Sequence, residues 1–401
     1  MVGFRSKSPQ RLSPDAERLV ADALSLAASG SRLEDVYWER RLSGRLARLL
    51  KNGSQSSLDA ALDHLFKHNN DASDVLAEQA ELLAESAQVE HEGTVYDVLL
   101  LAAPILAHTR YSIPSGTLKA DDVQTLGAQL QAHVLATGTR FTLAPYLYSI
   151  DQLPRTHSDT FALTHRLAAA ALAGTTPSLD LRDLPETAPV LADPRYLLAV
   201  VIAPAGAALF RWQEEAREHH AERSACLEQW STQAKPTVAR MMPGCEFELM
   251  LPDAFFYSCR ESDKKVRPLT VRAAVNYLTG TLDVTADRLA AIVAGFGEQD
   301  LDEYRVSFTL RGERDVIYGI VWPIYGEEDN TAASQESGGG VLERICEELR
   351  ACGIEDIFRH ASLFEPEYCD DCGTPLFADR KGEILHPEMP EDTPTQQPLF
   401  H

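Results

Sequence analysis

The stretches LTHRLAAAALAGT (163–175) and LTVRAAVNYLTGT (269–281) share seven of thirteen residues: Leu163/Leu269, Thr164/Thr270, Arg166/Arg272, Ala168/Ala274, Leu172/Leu278, Gly174/Gly280 and Thr175/Thr281. Chance would match about one. The second stretch lies 106 positions after the first; Phe141/Phe247 and Leu143/Leu249 match at the same offset, and Tyr196/Tyr304 at 108. The middle of the chain therefore reads as an internal duplication of a unit of roughly 100 residues, with the two quoted stretches in equivalent helix and turn positions.

Working outward, VYDVLLLAAPIL from Val95 is a buried-strand run, RYSIPSG a short partner, Asp121–Gly138 a helix and Arg140–Tyr148 a strand. After a helix over 159–173 come YLLAVVIA (196–203), a Pro/Gly turn, ALFRW (208–212), a helix over 214–233 and EFELML (246–251). After a helix over 268–279 come YRVSFTL (304–310), the turn Arg311-Gly312-Glu313-Arg314, VIYGIVW (316–322), a helix over 340–352 and a strand from Ile354. Helices flanking a hairpin that feeds a further strand are the element order of ferredoxin-like sheets. The nine strands counted between 95 and 365 are too few for separate complete domains. Either neighbouring units share strands, or the strands near Pro145 and Pro252 are broken in two.

Upstream, residues 1–13 read as a disordered tail, and Ser13-Pro14 as an N-cap with proline at the first helical position. Ser31-Arg32-Leu33-Glu34 has capping-box form, and Leu33, Val36, Tyr37, Leu42, Leu46, Leu49 and Leu50 give the second helix an apolar side ending at Asn52-Gly53. Helical patterns over 57–67 and 73–87 make the first ninety residues all-helical. The fold class is thus α/β (α+β): a tail (1–13), a helical region (14–90), a first α/β part (91–258), a second α/β repeat (259–365) and a C-terminal knuckle and tail (366–401). Gly326–Gly340 is a polar flexible loop by composition.

Sixty acids against 37 bases give a formal charge of −23, a field that repels phosphate backbones and anionic membrane surfaces. Arg5, Lys7 and Arg11 are followed by no apolar h-region, and Tyr196–Phe210, the most apolar stretch, is interrupted by Pro204 and Gly206. The protein is expected to be soluble and cytoplasmic. Seven cysteines, two of them in a CxxC, fit a reducing compartment better than a disulfide framework.

The chemically pointed site is Cys369-Asp370-Asp371-Cys372-Gly373. A tight turn between two thiols aims both sulfurs at one cation, and glycine relieves the turn that follows, which is the logic of a zinc knuckle. Thirteen residues separate Cys372 from His386, the best third ligand across an expected hairpin. Cys352, His360, Glu388 and His401 compete for the fourth position. A thioredoxin-like redox pair is the rival reading. Asp370 and Asp371 argue against it, since carboxylates beside thiols raise their pKa and suppress the thiolate.

Other signals favour structural readings. Gly295-Phe296-Gly297 lacks a third glycine and a clear preceding strand and reads as a helix-ending turn. Gly338-Gly339-Gly340 reads as a linker rather than an anion cradle, and His219-His220 as a solvated helix face. The strand Phe255-Phe256-Tyr257 beside Lys264-Lys265-Val266-Arg267 reads as core aromatics next to a surface turn rather than a nucleic-acid patch. No GxSxG, HExxH or Walker loop occurs.

On LLLAAPILAHTRYSIPSG (99–116), LAPYLYSIDQLPR (143–155) and FEPEYCDDCGTPLFADRKGEILHPEMPED (364–392), the chain resembles a family of roughly 400-residue bacterial proteins catalogued as a domain of unknown function. That resemblance runs nearly end to end and implies no activity, substrate or cofactor. The first functional reading is a non-enzymatic binding or adaptor protein with a structural zinc knuckle. The alternative is a metabolite sensor binding a ligand between the duplicated units; an enzyme with a site between the repeats, lined by Arg166 and Arg272, comes third. The expected partner is a protein or a small molecule, with no non-specific nucleic acid and no membrane; a homodimer is allowed.

Overall fold

Serines ahead of the apolar periods start the first two helices. In the computed structural model, which describes residues 12–390 except 110–111, 180, 183, 188–189, 215–220, 299 and 325–339, Ser13 accepts from the Ala16 N–H and opens α1 (Pro14–Ala27). Ser31 accepts from the Glu34 N–H and opens α2 (Arg32–Lys51). Each cap satisfies an N–H that the first helical turn leaves without a partner. Residues 1–11, His219-His220, His401 and all of the 326–340 loop except Gly340 lie outside the described residues.

With α3 (Gln55–His68) and α4 (Asn70–Glu85), these helices enclose a core that includes Leu19, Leu42, Leu46, Leu58, Leu65 and Leu76. The apolar side of α2 is buried only from Leu42 onward; Leu33 and Tyr37 are exposed. Asp22, buried on α1, joins α2 through Arg41 (2.9 Å) and Arg45 (2.5 Å). The chain turns to strand at Ser86, so the first ninety residues are not all helical.

The larger sheet contains β1 (Ser86–His91), β2 (Thr94–His108), β3 (Gly116–Thr117), β4 (Arg140–Ser149), β5 (Ala192–Pro204), β6 (Glu246–Leu249) and β7 (Asp253–Ala254). Its helices are α5 (Ala120–His133), α6 (His157–Ala173), α7 (Arg223–Met241) and α8 (Phe255–Leu282). β5 lies between β2 and β4, antiparallel to both, and β2 lies between β5 and β6, antiparallel to both. Two split β-α-β units, β2-α5-β4 and β5-α7-β6, therefore interlock, and the order β6-β2-β5-β4 is that of a ferredoxin-like sheet. No strand belongs to both units; the two pool their strands in one sheet, so neither forms a sheet of its own. The sheet is buried on both faces, by α5 and α7 on one and by α6 and the start of α8 on the other, so β2 and β5 read as continuous apolar runs.

Prolines mark the sheet's irregularities. Met250 N–H donates to Pro104 O. The N–H and C=O of one strand residue point to the same side, so the donor that Pro104 lacks falls at the break between β6 and β7, next to Pro252. β4 remains one strand, with a register shift between Leu143 and Leu147 that contains Pro145. ALFRW is not a strand. Phe210 makes a single bridge to Leu135, and Arg211–Gln213 is a 3-10 turn.

The two opening stretches are both helical, in α6 and α8, but their turns are not equivalent. Gly174 caps α6 with φ 64°, whereas Gly280 lies inside α8, which runs on to Leu282 and is capped by Asp283 at φ 52°. Phe255-Phe256-Tyr257 opens α8 instead of forming a strand. The boundary drawn at 258/259 falls inside this helix, whose first half packs on the larger sheet and whose second half packs on the smaller one.

The smaller sheet has the order β10-β9-β8-β11, from β8 (Leu289–Phe296), β9 (Glu303–Leu310), β10 (Tyr318–Pro323) and β11 (Asp356–Phe364). α9 (Val341–Ala351) connects β10 to β11, which runs parallel to β8. Gly295-Phe296 is the end of β8, not a helix-ending turn; that strand is buried along its whole length and shows no alternation. Among the described residues, no helix is long and apolar enough to cross a membrane.

Where the helical region meets the larger sheet, Glu85 accepts from the Phe256 N–H (2.9 Å) at the start of α8. Burial pushes its pKa from 4.5 up to about 7; the Phe256 hydrogen bond opposes the rise, Glu81 adds to it and Arg260 opposes it. An acid whose folded pKa is raised stabilises the fold fully below its unfolded pKa, and this contribution is lost as pH rises from about 4.5 through 7. Glu85→Gln keeps the acceptor and removes the titration. It is expected to stabilise the protein by about 1–2 kcal/mol at pH 8, after allowing for screening, and to change nothing at pH 4. Urea unfolding at the two pH values checks this; equal effects at both would refute the assignment.

Candidate metal centre

Two short local structures build the site. Tyr368 and Pro375 form an isolated bridge, the Cys369 N–H donates to Thr374 O (2.8 Å) and the Gly373 N–H donates to Cys369 O (2.8 Å). Gly373 has φ 72°, which allows the chain to turn back directly after Cys372. A hairpin follows, β12 (Phe377–Ala378) paired with β13 (Ile384–Leu385), its turn organised by Asp379 Oδ1, which accepts from the N–H groups of Lys381 and Glu383. His386 is the first residue after β13, so the hairpin returns it to the knuckle.

Cys369, Cys372 and His386 present one sulfur, one sulfur and one ring nitrogen within 4.8 Å of one another. Cys372 Sγ is 3.2 Å from His386 Nε2 and 3.2 Å from Thr374 Oγ1. Donors at the corners of a zinc tetrahedron lie about 3.5–3.8 Å apart, given bonds of about 2.3 Å to sulfur and 2.0 Å to nitrogen, so only a small opening admits the ion. On the ring's Nδ1 side the exposed Glu388 carboxylate lies 3.8 Å away, beyond hydrogen-bond distance.

The Cys372 thiol is pulled down from 9 to about 6, first by the Thr374 hydroxyl, then by the Thr374 backbone, His386 and Cys369. This reverses the expectation that Asp370 and Asp371 would suppress the thiolate. Both aspartates are exposed and solvated, while the groups favouring the thiolate are within hydrogen-bond reach. A thiolate at neutral pH is also what metal ligation requires.

The remaining candidates lie elsewhere. Cys352 follows α9, packed against the core of the smaller sheet, and burial raises its thiol pKa; it is not part of the cluster. His360 Nε2 is 2.7 Å from Asp379 O. Arg272 pairs with Glu348 (3.0 Å), and Arg166 is exposed on α6. The Lys264–Arg267 stretch is helical and internally paired: Lys264 with Glu261 (3.2 Å), and buried Arg267 with Asp263 (2.8 Å).

What the sequence did not reveal is how the knuckle is seated. Arg305 on β9 is buried; its Nη1 donates to Glu367 O (2.8 Å) and Leu376 O (2.6 Å), one on each side of the knuckle, and its Nε donates to Glu303 (2.7 Å). The guanidinium lies 4.3 Å from the Phe296 ring centre and 5.1 Å from that of Tyr368. Ser307, two residues along the same face, donates to Ala378 O (2.6 Å). Gly319 on β10 leaves room for the Phe377 ring, which a Cβ there would overlap. Gly319→Ala is therefore expected to cost about 1–3 kcal/mol in urea unfolding; an unchanged midpoint would mean that Phe377 moves aside freely.

The family model described as "Protein of unknown function (DUF2863)" matches residues 4–400, and the chain belongs to that family. No curated protein and no solved structure matches it.

Proposed function

We propose that this member of an uncharacterised family is a non-enzymatic binding or adaptor protein whose C-terminal segment is stapled by one zinc ion on Cys369, Cys372 and His386. The convergence of those three donors carries the reading. Two thiolates and an imidazole select a borderline-soft cation over magnesium or calcium. The eleven acids against three bases from Gly353 to the C-terminus add a long-range attraction for a dication. The segment around the knuckle buries little apolar surface of its own beyond Phe377 and Ala378, so a cross-link has something to stabilise. Elemental analysis of protein purified without a metal-affinity tag is expected to find one zinc per chain. Metal-free protein with two freely titratable thiols at 369 and 372 would overturn the reading.

A cavity of about 390 Å³ favours the metabolite-sensing alternative. It lies between α5 and α7, the helices of the two interlocked units, and is lined by Ser115, Thr117, Lys119, Asp121, Asp122 and Arg240. Arg240 pairs with Asp122 across the cavity (3.1 Å), which leaves Lys119 and Asp121 as its other lining charges for a small polar metabolite. A saturable thermal shift abolished by Lys119→Ala would promote this reading over the first.

A further inference from the structure

All seven cysteines lie among the described residues, and Cys372 alone is exposed. Cys226 and Cys346 are buried, and Cys245, Cys259 and Cys352 are half-buried against the sheet cores. Cys372 also has a second sulfur within reach: its Sγ, the Cys369 Sγ and a His386 ring nitrogen lie within 4.8 Å of one another. An oxidant arriving from solvent therefore meets Cys372 first, with Cys369 next to it.

The turn lets that second sulfur close the pair. The Gly373 N–H donates to Cys369 O (2.8 Å), so both cysteines belong to one hydrogen-bonded turn. Alpha carbons three residues apart in a tight turn lie within about 7 Å, and disulfides span about 4.4–6.8 Å. Bringing the sulfurs to their bonding distance of about 2 Å then asks for side-chain rotation within the turn.

Charge selects the oxidant. Asp370 and Asp371 are exposed between the two cysteines, and the segment from Gly353 to the C-terminus carries eleven acids against three bases. That field repels an anionic oxidant such as glutathione disulfide and does not act on a small neutral hydroperoxide.

We propose that Cys372 is a peroxide-reactive thiol and Cys369 its resolving partner, so that a hydroperoxide converts the knuckle into a Cys369–Cys372 disulfide. Cys372 Sγ attacks one peroxide oxygen and the O–O bond breaks; the thiol proton goes to the departing oxygen, past His386 Nε2 at 3.2 Å from the sulfur. This leaves a sulfenic acid on Cys372 and one molecule of alcohol, or of water when the oxidant is hydrogen peroxide. Cys369 Sγ then attacks the sulfenic sulfur, the S–O bond breaks, and the Cys369 proton leaves with the hydroxyl as water. The two thiols lose two electrons and two protons, and the peroxide takes up both. No metal takes part. Where the zinc proposed above is bound, it shields both sulfurs, and closing the disulfide withdraws two of its three donors.

The test treats the full chain, with and without prior chelation, with one equivalent of hydrogen peroxide per chain at neutral pH, and maps every cysteine by peptide mass spectrometry. In the chelated protein the Cys369–Cys372 disulfide is expected to form at least about tenfold faster than any of the other five cysteines is oxidised. Cys369→Ser should stop at a sulfenic acid on Cys372, trapped by dimedone, and Cys372→Ser should leave Cys369 reduced. Slower closure before chelation than after it would support both the reactive pair and its shielding by metal. Oxidation that appears first at another cysteine, a dimedone adduct on Cys369 in Cys372→Ser, or no disulfide in the chelated wild type would overturn the assignment. Faster closure by glutathione disulfide than by peroxide would overturn the oxidant class. Zinc content, read separately by elemental analysis, decides the metal-holding reading, so the two failures are distinguishable.

Discussion

On the proposed metal-holding reading, Cys372→Ser is expected to reduce bound zinc from one per chain to below about a tenth, and expose residues around the knuckle to protease while the two sheets stay folded. Structural zinc sites of this kind contribute on the order of 10–16 kcal/mol of binding free energy. Replacing one of three donors by a hydroxyl that stays protonated at neutral pH should remove at least about 3 kcal/mol of it, more than a hundredfold in affinity. The two sheets have cores of their own, around Trp230 and around Phe308, which contain neither cysteine of the knuckle. Cys352→Ser is the control. That thiol sits apart from the cluster, half-buried against the core of the smaller sheet, so the variant should keep any metal the cluster holds. Equal metal loss in both variants would mean that the cluster is not the binding site.

The legible parts of this chain are those where local chemistry acts alone. Ser13 and Ser31 cap helices because a hydroxyl ahead of an apolar period satisfies a free N–H, whatever the rest of the chain does. Cys369, Cys372 and His386 were visible because a knuckle and a short hairpin are local structures that close on themselves. The illegible parts depend on what covers a face. LAAIVAGF gave no strand signal because β8 is buried along its whole length, and alternation appears only where one face meets water. Gly280 reads as a helix end by analogy with Gly174, yet packing on the smaller sheet carries α8 past it. In β9 the alternation is present but misleading. Arg305, Ser307 and Thr309 form a polar row that reads as solvent-facing, and all three are buried. Arg305 and Ser307 face the knuckle and its hairpin.

That row leads to the second large effect: Arg305→Met is expected to destabilise the seating of the knuckle by about 3–5 kcal/mol, the range for removing one partner of a buried ion pair. The substitution leaves the Glu303 carboxylate, 17% exposed, without its cation, and it strips a donor from the carbonyls of Glu367 and Leu376. Those carbonyls flank the Tyr368–Pro375 bridge, so freeing them loosens the spacing of both cysteines, and zinc affinity should fall together with stability. Arg305→Lys keeps the charge but not the fork that reaches two carbonyls and a carboxylate at once, and should recover only part of the loss. Charge and packing separate in the double variant. Adding Glu303→Gln to Arg305→Met removes the unpaired carboxylate and should return about 1–2 kcal/mol, an interaction energy that two independent surface residues would not show. Zinc competition titrations with a chromophoric chelator and urea unfolding, run on the wild type, Arg305→Met, Arg305→Lys, Glu303→Gln and the double variant, measure both consequences. If Arg305→Met retains full zinc affinity and unfolds within about 0.5 kcal/mol of the wild type, the size of an ordinary surface substitution, the arginine is not what holds the knuckle to the sheet.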